Sequence, residues 1–273
     1  MRCAIFGNPV SHSLSPVIHA LFAKQFDLKI YYEKICVVEN KFHIAVKNFR
    51  TQQGWGANVT APFKQDAFRF VDQRTSRAKI AGAVNTLVWK NNICIGDNTD
   101  GIGFIRDLKK QFGEIKNKNI LILGAGGAAQ GILNNIILEK PRKIFLTNRT
   151  QKNKNKLMSQ FKIEPCSFDE TKIDLIINAT SADFPSLKNL LSSIDLNNTF
   201  GYDLNYGQRH EAFLKLGLSC CNGLGMLIEQ AAESFYVWRN VRPNTQPIFD
   251  YFSPCHPREG GDGTVETKMT TKL

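Results

Sequence analysis

The segment Gly124-Ala-Gly-Gly-Ala-Ala129 decides the fold, because it follows the apolar run Asn119–Leu123 and precedes a helical pattern over Ala128–Leu138. A GxGxxA segment alone is a weak signal, but between a strand and a helix it is typical of a dinucleotide-binding loop. Gly124 permits the tight turn, and Gly126 lets the backbone approach a pyrophosphate at the helix N-terminus. A glycine-rich turn without a ligand is the alternative, and the context disfavours it. The predicted phosphate-binding residues are Gly124, Ala125, Gly126, Gly127 and Ala128.

The end of the next predicted strand, Lys143–Thr147, bears on which dinucleotide binds. NAD sites usually carry an acidic residue there for the ribose 2′-hydroxyl. Here the strand runs into Asn148-Arg149-Thr150. A guanidinium pairs with a phosphate through its planar fork, so this segment favours NADP. Arg149 as an ordinary surface arginine is the competing interpretation.

Strand and helix patterns alternate along the chain on both sides of this segment, which predicts an α/β protein with parallel sheets covered by helices on both faces. We expect two domains with a cleft between them: an N-terminal α/β substrate domain and a Rossmann-type NADP-binding domain. The predicted bounds are 1–101 for the substrate domain, completed by 225–252, and 102–224 for the NADP-binding domain. The apolar face of the helix predicted over Met226–Trp238 should pack on the first domain. The remainder, 253–273, is polar and rich in glycine, and it predicts a disordered tail.

The composition is ordinary for a globular protein of 273 residues, with 42% hydrophobic and 22% charged residues. No apolar run approaches the roughly 20 residues that span a bilayer, and the first strand predicted at the N-terminus is too short for a signal peptide. We therefore expect a cytoplasmic protein with no membrane partner. The net charge of +11 comes from dispersed lysines, which favours attraction of anionic small molecules over nucleic-acid binding. The seven cysteines form no CxxC pair and no zinc-ligand spacing, so we expect reduced thiols and no metal.

Polar residues cluster where strands of the first domain should end. Ser13 and Ser15 precede a predicted helix, and two hydroxyls at a helix N-terminus would suit a carboxylate. Lys64 follows a predicted strand, and Asp100 precedes another helix. Each residue also has an ordinary explanation: Ser15 and Asp100 as helix N-caps, and Lys64 as a solvated surface lysine. For each residue taken singly, a role in a functional site and the ordinary explanation are about equally good.

Taken together and in order, eight segments resemble the shikimate dehydrogenase family over roughly residues 1–250. They are SHSLSP (11–16), GANVTAPFK (56–64), GAVNT (82–86), GDNTDG (96–101), GAGGAA (124–129), NRT (148–150), INATS (177–181) and GLGM (223–226) followed by Gln230. The resemblance implies an NADP-dependent reduction of 3-dehydroshikimate to shikimate, a step towards chorismate and the aromatic amino acids. We expect a monomer or a homodimer, and the sequence does not decide between them.

The family's roles carry over to the matching positions as expectations. The resemblance implies Lys64 and Asp100 as the catalytic pair. Because reduction of a ketone builds negative charge on its oxygen, we expect Lys64 to act mainly as an oriented acid and electrostatic stabiliser. The implied substrate-binding residues are Ser13, Ser15, Thr60, Asn85, Tyr202 and Gln230. Further implied cofactor-binding residues are Asn148, Arg149, Thr150, Thr180, Gly223 and Met226.

The chain departs from the family pattern at several places. Leu14 stands where many relatives carry a lysine, and Asn153 stands where many NADP-preferring relatives carry a second arginine. The chain also leaves the family's C-terminal helix after about Phe252, for which we expect reduced stability and intact function. A quinate/shikimate dehydrogenase with relaxed cofactor use, or a non-catalytic homologue that binds a small acid or nucleotide, is the alternative.

Overall fold

A computed structural model describes residues 1–164 and 171–253 of the chain. The predicted disordered tail lies outside these residues except for Ser253, and so do Cys166 and Cys255. The cysteines that are described are free thiols. Within the described ranges, no helix is long and apolar enough to cross a membrane. The fold is α/β with two sheets, as the alternating pattern predicts.

The first sheet contains six strands in the order β2-β1-β3-β5-β6-β4. Its strands are β1 (Arg2–Gly7), β2 (Tyr31–Cys36), β3 (Gly56–Val59), β4 (Gln73–Arg74), β5 (Thr86–Lys90) and β6 (Ile93–Asp97). The connecting helices are α1 (Ser15–Lys24), α2 (Phe42–Thr51), α3 (Lys64–Phe70) and α4 (Ser76–Ala81). Phe6 and Phe49 pack together with α2 and α3 on one face of the sheet, and helix α1 covers the other.

The expectation of parallel pairing throughout is wrong for this sheet, because β5 runs antiparallel to both β3 and β6. Asn91 and Asn92, with φ of 49° and 64°, form a tight turn that joins β5 to β6 as a hairpin. Two central residues with positive φ are the signature of a two-residue hairpin turn, and asparagine tolerates that conformation. The sequence patterns did not predict strand β5.

The second sheet has five parallel strands in the order β11-β10-β9-β7-β8. They are β7 (Asn119–Leu123), β8 (Lys143–Thr147), β9 (Leu175–Asn178), β10 (Phe200–Asp203) and β11 (Ser219–Cys221). The helices between them are α6 (Gly127–Leu138), α7 (Gln151–Phe161), α8 (Phe184–Leu190) and α9 (Glu211–Leu214), with a 3-10 turn at Gly207–His210. Apolar clusters pack on both faces, as expected of a parallel sheet.

Two long helices connect the sheets: α5 (Asp100–Gln111) after the first, and α10 (Leu224–Arg239) after the second, followed by α11 (Gln246–Phe252). A Cβ built on Gly103 would lie 2.5 Å from the backbone nitrogen of Gln230. The two helices therefore touch backbone to backbone, which only a glycine allows. This contact fixes α5 relative to α10.

The predicted apolar face of α10 packs on the first sheet's side of the molecule, which confirms that expectation. Ala231 and Phe235 lie in one cluster with Ile18 and Phe22 of α1, and Leu227 packs at its margin. Trp238 is 5% exposed and donates from Nε1 to the carbonyl of Leu87 at 3.0 Å. The domain bounds at residues 101 and 224 stay a prediction; the two sheets span residues 2–97 and 119–221.

Candidate active site

The two sheets with their helices form two units, here called the first and the second unit. A cavity of ≈ 290 Å³ lies between them, at the carboxyl ends of their parallel strands. Open α/β sheets bind ligands at this edge. Most of the residues implied by the family resemblance line it: Ser13, Ser15, Thr60, Lys64, Asn85, Asp100, Ala128, Gly223, Met226 and Gln230. The structure thus brings together residues from both sheets and from the starts of helices α1, α3, α5, α6 and α10.

The Lys64 ammonium and the Asp100 carboxylate form an ion pair in this cavity, with Nζ 2.7 Å from Oδ2. Lys64 is the first residue of α3 and Asp100 the first of α5. A carboxylate in the first turn of a helix is stabilised by the helix dipole. The N-cap explanation of Asp100 does not hold, because Thr99 occupies the cap position and the Asp100 side chain faces Lys64.

The Asn85 side chain holds the other oxygen of Asp100. Its Nδ2 lies 2.9 Å from Asp100 Oδ1 and 3.3 Å from Gln230 Oε1. Its Oδ1 accepts from the Thr99 backbone N–H at 2.9 Å and from the Thr86 hydroxyl at 2.8 Å. Asn85 is 3% exposed, so these bonds form a buried network that leaves Asp100 little rotational freedom.

Ser13 and Ser15 lie together at the start of α1. Ser13 Oγ accepts from the Ser15 backbone N–H at 3.3 Å, which leaves the Ser13 hydroxyl proton available to a ligand. Helix α1 begins at Ser15, with Leu14 at the cap position and no capping hydrogen bond from a side chain. The N-cap explanation of Ser15 is therefore wrong. Both serines line the cavity, and Ser15 is 2% exposed with its side chain beside the Tyr32 hydroxyl.

The structure does not bring Tyr202 into the cavity, so its expected support of the substrate carboxylate is wrong. Tyr202 is fully buried in strand β10, where its side chain packs edge-on against Phe104. Its hydroxyl donates to Oδ2 of the buried Asp107 on helix α5. Side chains alternate between the two faces of a strand, and the Tyr202 side chain lies on the face that packs on α5. The chain reaches the cavity two residues later, at Leu204.

Tyr206 and Arg209 line the cavity instead, and the sequence predictions included neither. Burial raises the pKa of the Tyr206 phenol, although the nearby Arg209 guanidinium acts in the opposite direction. Tyr206 therefore stays a protonated hydrogen-bond donor at neutral pH. Both residues lie in the loop just after strand β10, which ends at Asp203. Their position directly beyond the carboxyl end of a parallel strand is the signal that could have identified them.

Asn58 also lines the cavity, and the sequence predictions lacked it. Its Oδ1 accepts from the Tyr32 hydroxyl at 2.7 Å, and its Nδ2 lies 3.0 Å from Ser234 Oγ. Asn58 is 5% exposed and links strand β3 to helix α10. Like Asn85, it lies in the cavity wall and also forms hydrogen bonds within the protein.

The glycine-rich loop has the geometry of a phosphate-binding loop. Gly124 has a φ of +102°, and a Cβ there would lie 2.9 Å from the carbonyl oxygen of Ala179. A Cβ at Gly126 or Gly127 would meet nothing within 4 Å. Helix α6 begins at Gly127 without a side-chain cap, so its first N–H groups face this open space. The loop fits a pyrophosphate, which helix N-termini bind through such groups.

The residues expected around the adenosine end lie beside this loop. Asn148 Oδ1 accepts from the Ala125 backbone N–H at 3.1 Å, and its Nδ2 donates to the Thr150 carbonyl at 2.9 Å. Arg149 is exposed and makes no hydrogen bond or ion pair with any of the residues that the structure describes. Its guanidinium is thus available to a 2′-phosphate. Thr180 contacts Gly124 across the carboxyl ends of β7 and β9.

Three family models match successive parts of the chain. Residues 5–87 match the shikimate dehydrogenase substrate binding domain, residues 106–195 match shikimate / quinate 5-dehydrogenase, and residues 223–248 match the shikimate 5'-dehydrogenase C-terminal domain. The chain belongs to the shikimate dehydrogenase family. The resemblance of the eight sequence segments is thereby confirmed.

Individual members of the shikimate dehydrogenase family match nearly the whole chain. It is 45% identical over 258 residues to the shikimate dehydrogenase (NADP(+)) of Legionella pneumophila, covering 91% of this chain and 97% of that protein. It is 42% identical over 264 residues to the shikimate dehydrogenase (NADP(+)) of Pseudoalteromonas atlantica, with coverages of 91% and 97%. A crystal structure of shikimate 5-dehydrogenase from Thermus thermophilus in complex with NADP(H) and shikimate superposes with a TM-score of 0.77 at 27% identity, covering 92% of this chain and 97% of that one.

Proposed function

We propose that this chain reduces the 3-keto group of 3-dehydroshikimate reversibly to the hydroxyl of shikimate, with Lys64 and Asp100 as its catalytic pair. Membership of the family makes the chain an oxidoreductase that uses NADP. The observation that carries the residue assignment is the Lys64–Asp100 ion pair inside a cavity lined by both units. When bound, NADPH supplies the hydride for this reduction.

The role of Lys64 follows from the charge that develops on the carbonyl oxygen during reduction. A protonated Nζ directed at that oxygen stabilises the growing negative charge and delivers the proton. Asp100 Oδ2 holds the ammonium in place through the 2.7 Å contact. In the reverse direction the neutral amine of Lys64 takes the proton from the substrate hydroxyl, and the contact with Asp100 keeps Nζ in position.

The remaining cavity residues bind and orient the substrate ring. Ser13 and Ser15 offer two hydroxyls to the carboxylate, and Tyr206 faces the same cavity. Thr60, Asn85 and Gln230 offer polar groups to the ring hydroxyls. Gly223 and Met226 start the turn into helix α10 and would border the nicotinamide ring. Holding both reactants in one geometry contributes rate through proximity and orientation.

The cofactor assignment uses Arg149 as the group that distinguishes NADP from NAD. Its exposed guanidinium follows strand β8, at the position where NAD sites carry an acidic residue. Ala125, Gly126, Gly127 and Asn148 form the loop beside it. The cytoplasmic location and the monomeric or homodimeric state stay predictions.

The test is the initial rate of NADPH oxidation with 3-dehydroshikimate, compared with NADH, and the reverse rates with shikimate and with quinate. Fast turnover restricted to NADPH and the shikimate pair is the expected result. Comparable rates with quinate or NADH would favour a quinate/shikimate dehydrogenase of relaxed specificity. No turnover with any pair would contradict the catalytic assignment and favour a non-catalytic homologue.

A further inference from the structure

The charges that line the cavity leave one guanidinium without a partner. Lys64 and Arg209 are the lysine and arginine side chains that line it, and Asp100 is its carboxylate. Lys64 and Asp100 pair with each other at 2.7 Å, so their charges offset. Arg209 makes no hydrogen bond or ion pair with any residue in the ranges 1–164 and 171–253. The net positive charge of the described cavity wall therefore lies on Arg209.

The backbone that carries Arg209 is anchored at both sides. Arg209 belongs to the 3-10 turn Gly207–His210 after strand β10. His210 Nδ1 lies 3.0 Å from Oδ2 of Asp203, which is fully buried. The Asn205 backbone N–H donates to Asp203 Oδ1 at 3.0 Å. Both contacts hold the turn to the end of β10, so Arg209 is exposed on a fixed base where the turn lines the cavity.

The substrate carries a carboxylate, and the one lysine in the described wall opposite Arg209, Lys64, is already paired with Asp100. Ser13 and Ser15 are neutral donors, and a carboxylate bound by hydroxyls alone gives up more hydration than they restore. A guanidinium adds charge-assisted and geometrically bidentate hydrogen bonds to a carboxylate. Ser13 and Arg209 belong to different units and line the same cavity, which makes Arg209 the candidate counter-charge for a carboxylate at Ser13.

We infer that Arg209 binds the substrate carboxylate across the cleft and makes the enzyme selective for acids over uncharged analogues. This inference rests on the proposed function and adds a specificity-determining residue to it. The guanidinium binds the carboxylate equally in the ground state and in the transition state, because the charge of the carboxylate does not change during reduction. Uniform binding of this kind lowers KM and leaves kcat unchanged.

The experiment compares shikimate with its methyl ester in the wild type and in Arg209→Gln. In the variant, KM for shikimate should rise about tenfold, the order expected for one charge-assisted hydrogen bond. Its kcat should stay within about twofold of the wild type, and KM for NADP⁺ and the kinetics of the ester should not change. Lys215→Gln removes the same charge from the exposed end of helix α9, outside the cavity lining, and should leave all these constants unchanged.

His12 also lines the cavity and provides a second comparison, His12→Asn. If the preference for the acid over the ester persists in Arg209→Gln but disappears in His12→Asn, the carboxylate partner is His12 and the inference is wrong. A rise in KM for NADP⁺ in Arg209→Gln, without a rise for shikimate, would assign Arg209 to the cofactor and also overturn it. A wild type inactive with shikimate would overturn the proposed function as well, whereas an active wild type with an unchanged acid-to-ester ratio in Arg209→Gln would overturn this inference alone.

Discussion

The Nζ atom of Lys64 lies 2.7 Å from Oδ2 of Asp100, although the two residues are 36 positions apart in the chain. Each is the first residue of its helix, and both helices begin at the same edge of the first sheet. Oδ1 of Asp100 is held at 2.9 Å by the Asn85 amide. Asp100 is thereby fixed on both oxygens, and the ammonium of Lys64 is oriented before substrate arrives. Groups that are preorganised in this way need little rearrangement during the reaction.

Replacement of Lys64 by alanine tests this arrangement. Loss of the oriented acid should lower kcat by roughly 10²- to 10⁴-fold, the range expected for general acid catalysis. KM for shikimate should change little, because the serines, Tyr206 and Arg209 supply the binding. Steady-state kinetics in both directions measure this, with the exposed Lys79→Ala as the matched control. A Lys64→Ala enzyme with near-normal turnover would refute the assignment.

Much of this site follows from the sequence, because it lies at helix starts and strand ends that short motifs mark. Strand β7 and the glycine-rich loop were predicted to the residue, and the polar segments around Ser13, Lys64 and Asp100 meet in one cavity as expected. Parallel strands bring their carboxyl ends to one edge, so residues far apart in sequence become neighbours there.

The sequence predictions failed where a side chain's direction depends on packing. Tyr202 lies in strand β10, and whether its side chain faces the core or the cavity depends on the alternation of that strand and on Asp107 as a buried partner. Arg209 lies in a short 3-10 turn without periodicity. Strand β5 was missed because it begins at Thr86, the last residue of the GAVNT segment. Its antiparallel direction depends on the Asn91-Asn92 turn.

Alanine substitutions at two glycines should separate folding from cofactor binding. At Gly126 the added methyl group meets no atom within 4 Å and the φ of −90° is ordinary. Gly126→Ala should therefore keep the wild-type Tm but raise KM for NADPH by at least about tenfold, because the methyl group occupies the space offered to the pyrophosphate. Thermal unfolding and steady-state kinetics measure the two effects. An unchanged KM for NADPH would show that the cofactor does not approach this loop.

Gly124→Ala is the contrasting variant. The φ of +102° is unfavourable for alanine, and the Cβ would lie 2.8 Å from Thr180 Cγ2. We expect the free energy of unfolding to fall by about 1–3 kcal/mol. Equal stability of the Gly124→Ala and Gly126→Ala proteins would contradict the distinction between the two positions.

Replacement of Arg149 by glutamine tests cofactor selection. The variant should lose about ten- to a hundredfold in kcat/KM with NADPH, because charge-assisted bonds to the 2′-phosphate are lost. Its kcat/KM with NADH should stay the same, since NADH carries no 2′-phosphate. Arg142→Gln, which removes an exposed arginine near the opposite end of strand β8, is the control. An equal loss with both cofactors would argue that Arg149 supports the fold of the loop rather than selecting NADP.

Glu233 on helix α10 provides a stability test that depends on pH. It is 3% exposed and forms ion pairs at 2.7–2.8 Å with Arg77, Arg106 and Arg242. Burial alone would raise the pKa of Glu233, but the three arginines outweigh it and lower the pKa from 4.5 to about 2. Because the folded-state pKa is depressed, the stabilisation is complete above pH 4.5 and is lost as the pH falls towards 2.

Glu233→Gln should accordingly lower the free energy of unfolding by about 3 kcal/mol at pH 7, since it breaks a buried charge cluster. The difference from the wild type should shrink as the pH falls through 4 towards 2. Urea unfolding at several pH values measures this, and the exposed Glu211→Gln should show no difference at any pH. A difference between Glu233→Gln and wild type that stays constant from pH 7 to pH 3 would mean that ionisation of Glu233 does not stabilise the fold.

The two tyrosines near the end of β10 should respond differently to loss of the hydroxyl. Tyr202→Phe removes the donor to Asp107, whose pKa is already raised by burial. A buried carboxylate that loses a donor costs about 1–3 kcal/mol of stability, whereas KM for shikimate should not change because Tyr202 does not line the cavity.

Tyr206→Phe should instead raise KM for shikimate severalfold and leave the free energy of unfolding nearly unchanged, because Tyr206 lines the cavity. Urea unfolding and steady-state kinetics of both variants measure the contrast. If Tyr202→Phe raised KM and kept full stability, the phenol of Tyr202 would have to reach the substrate, and strand β10 would have to present it to the cavity rather than to Asp107.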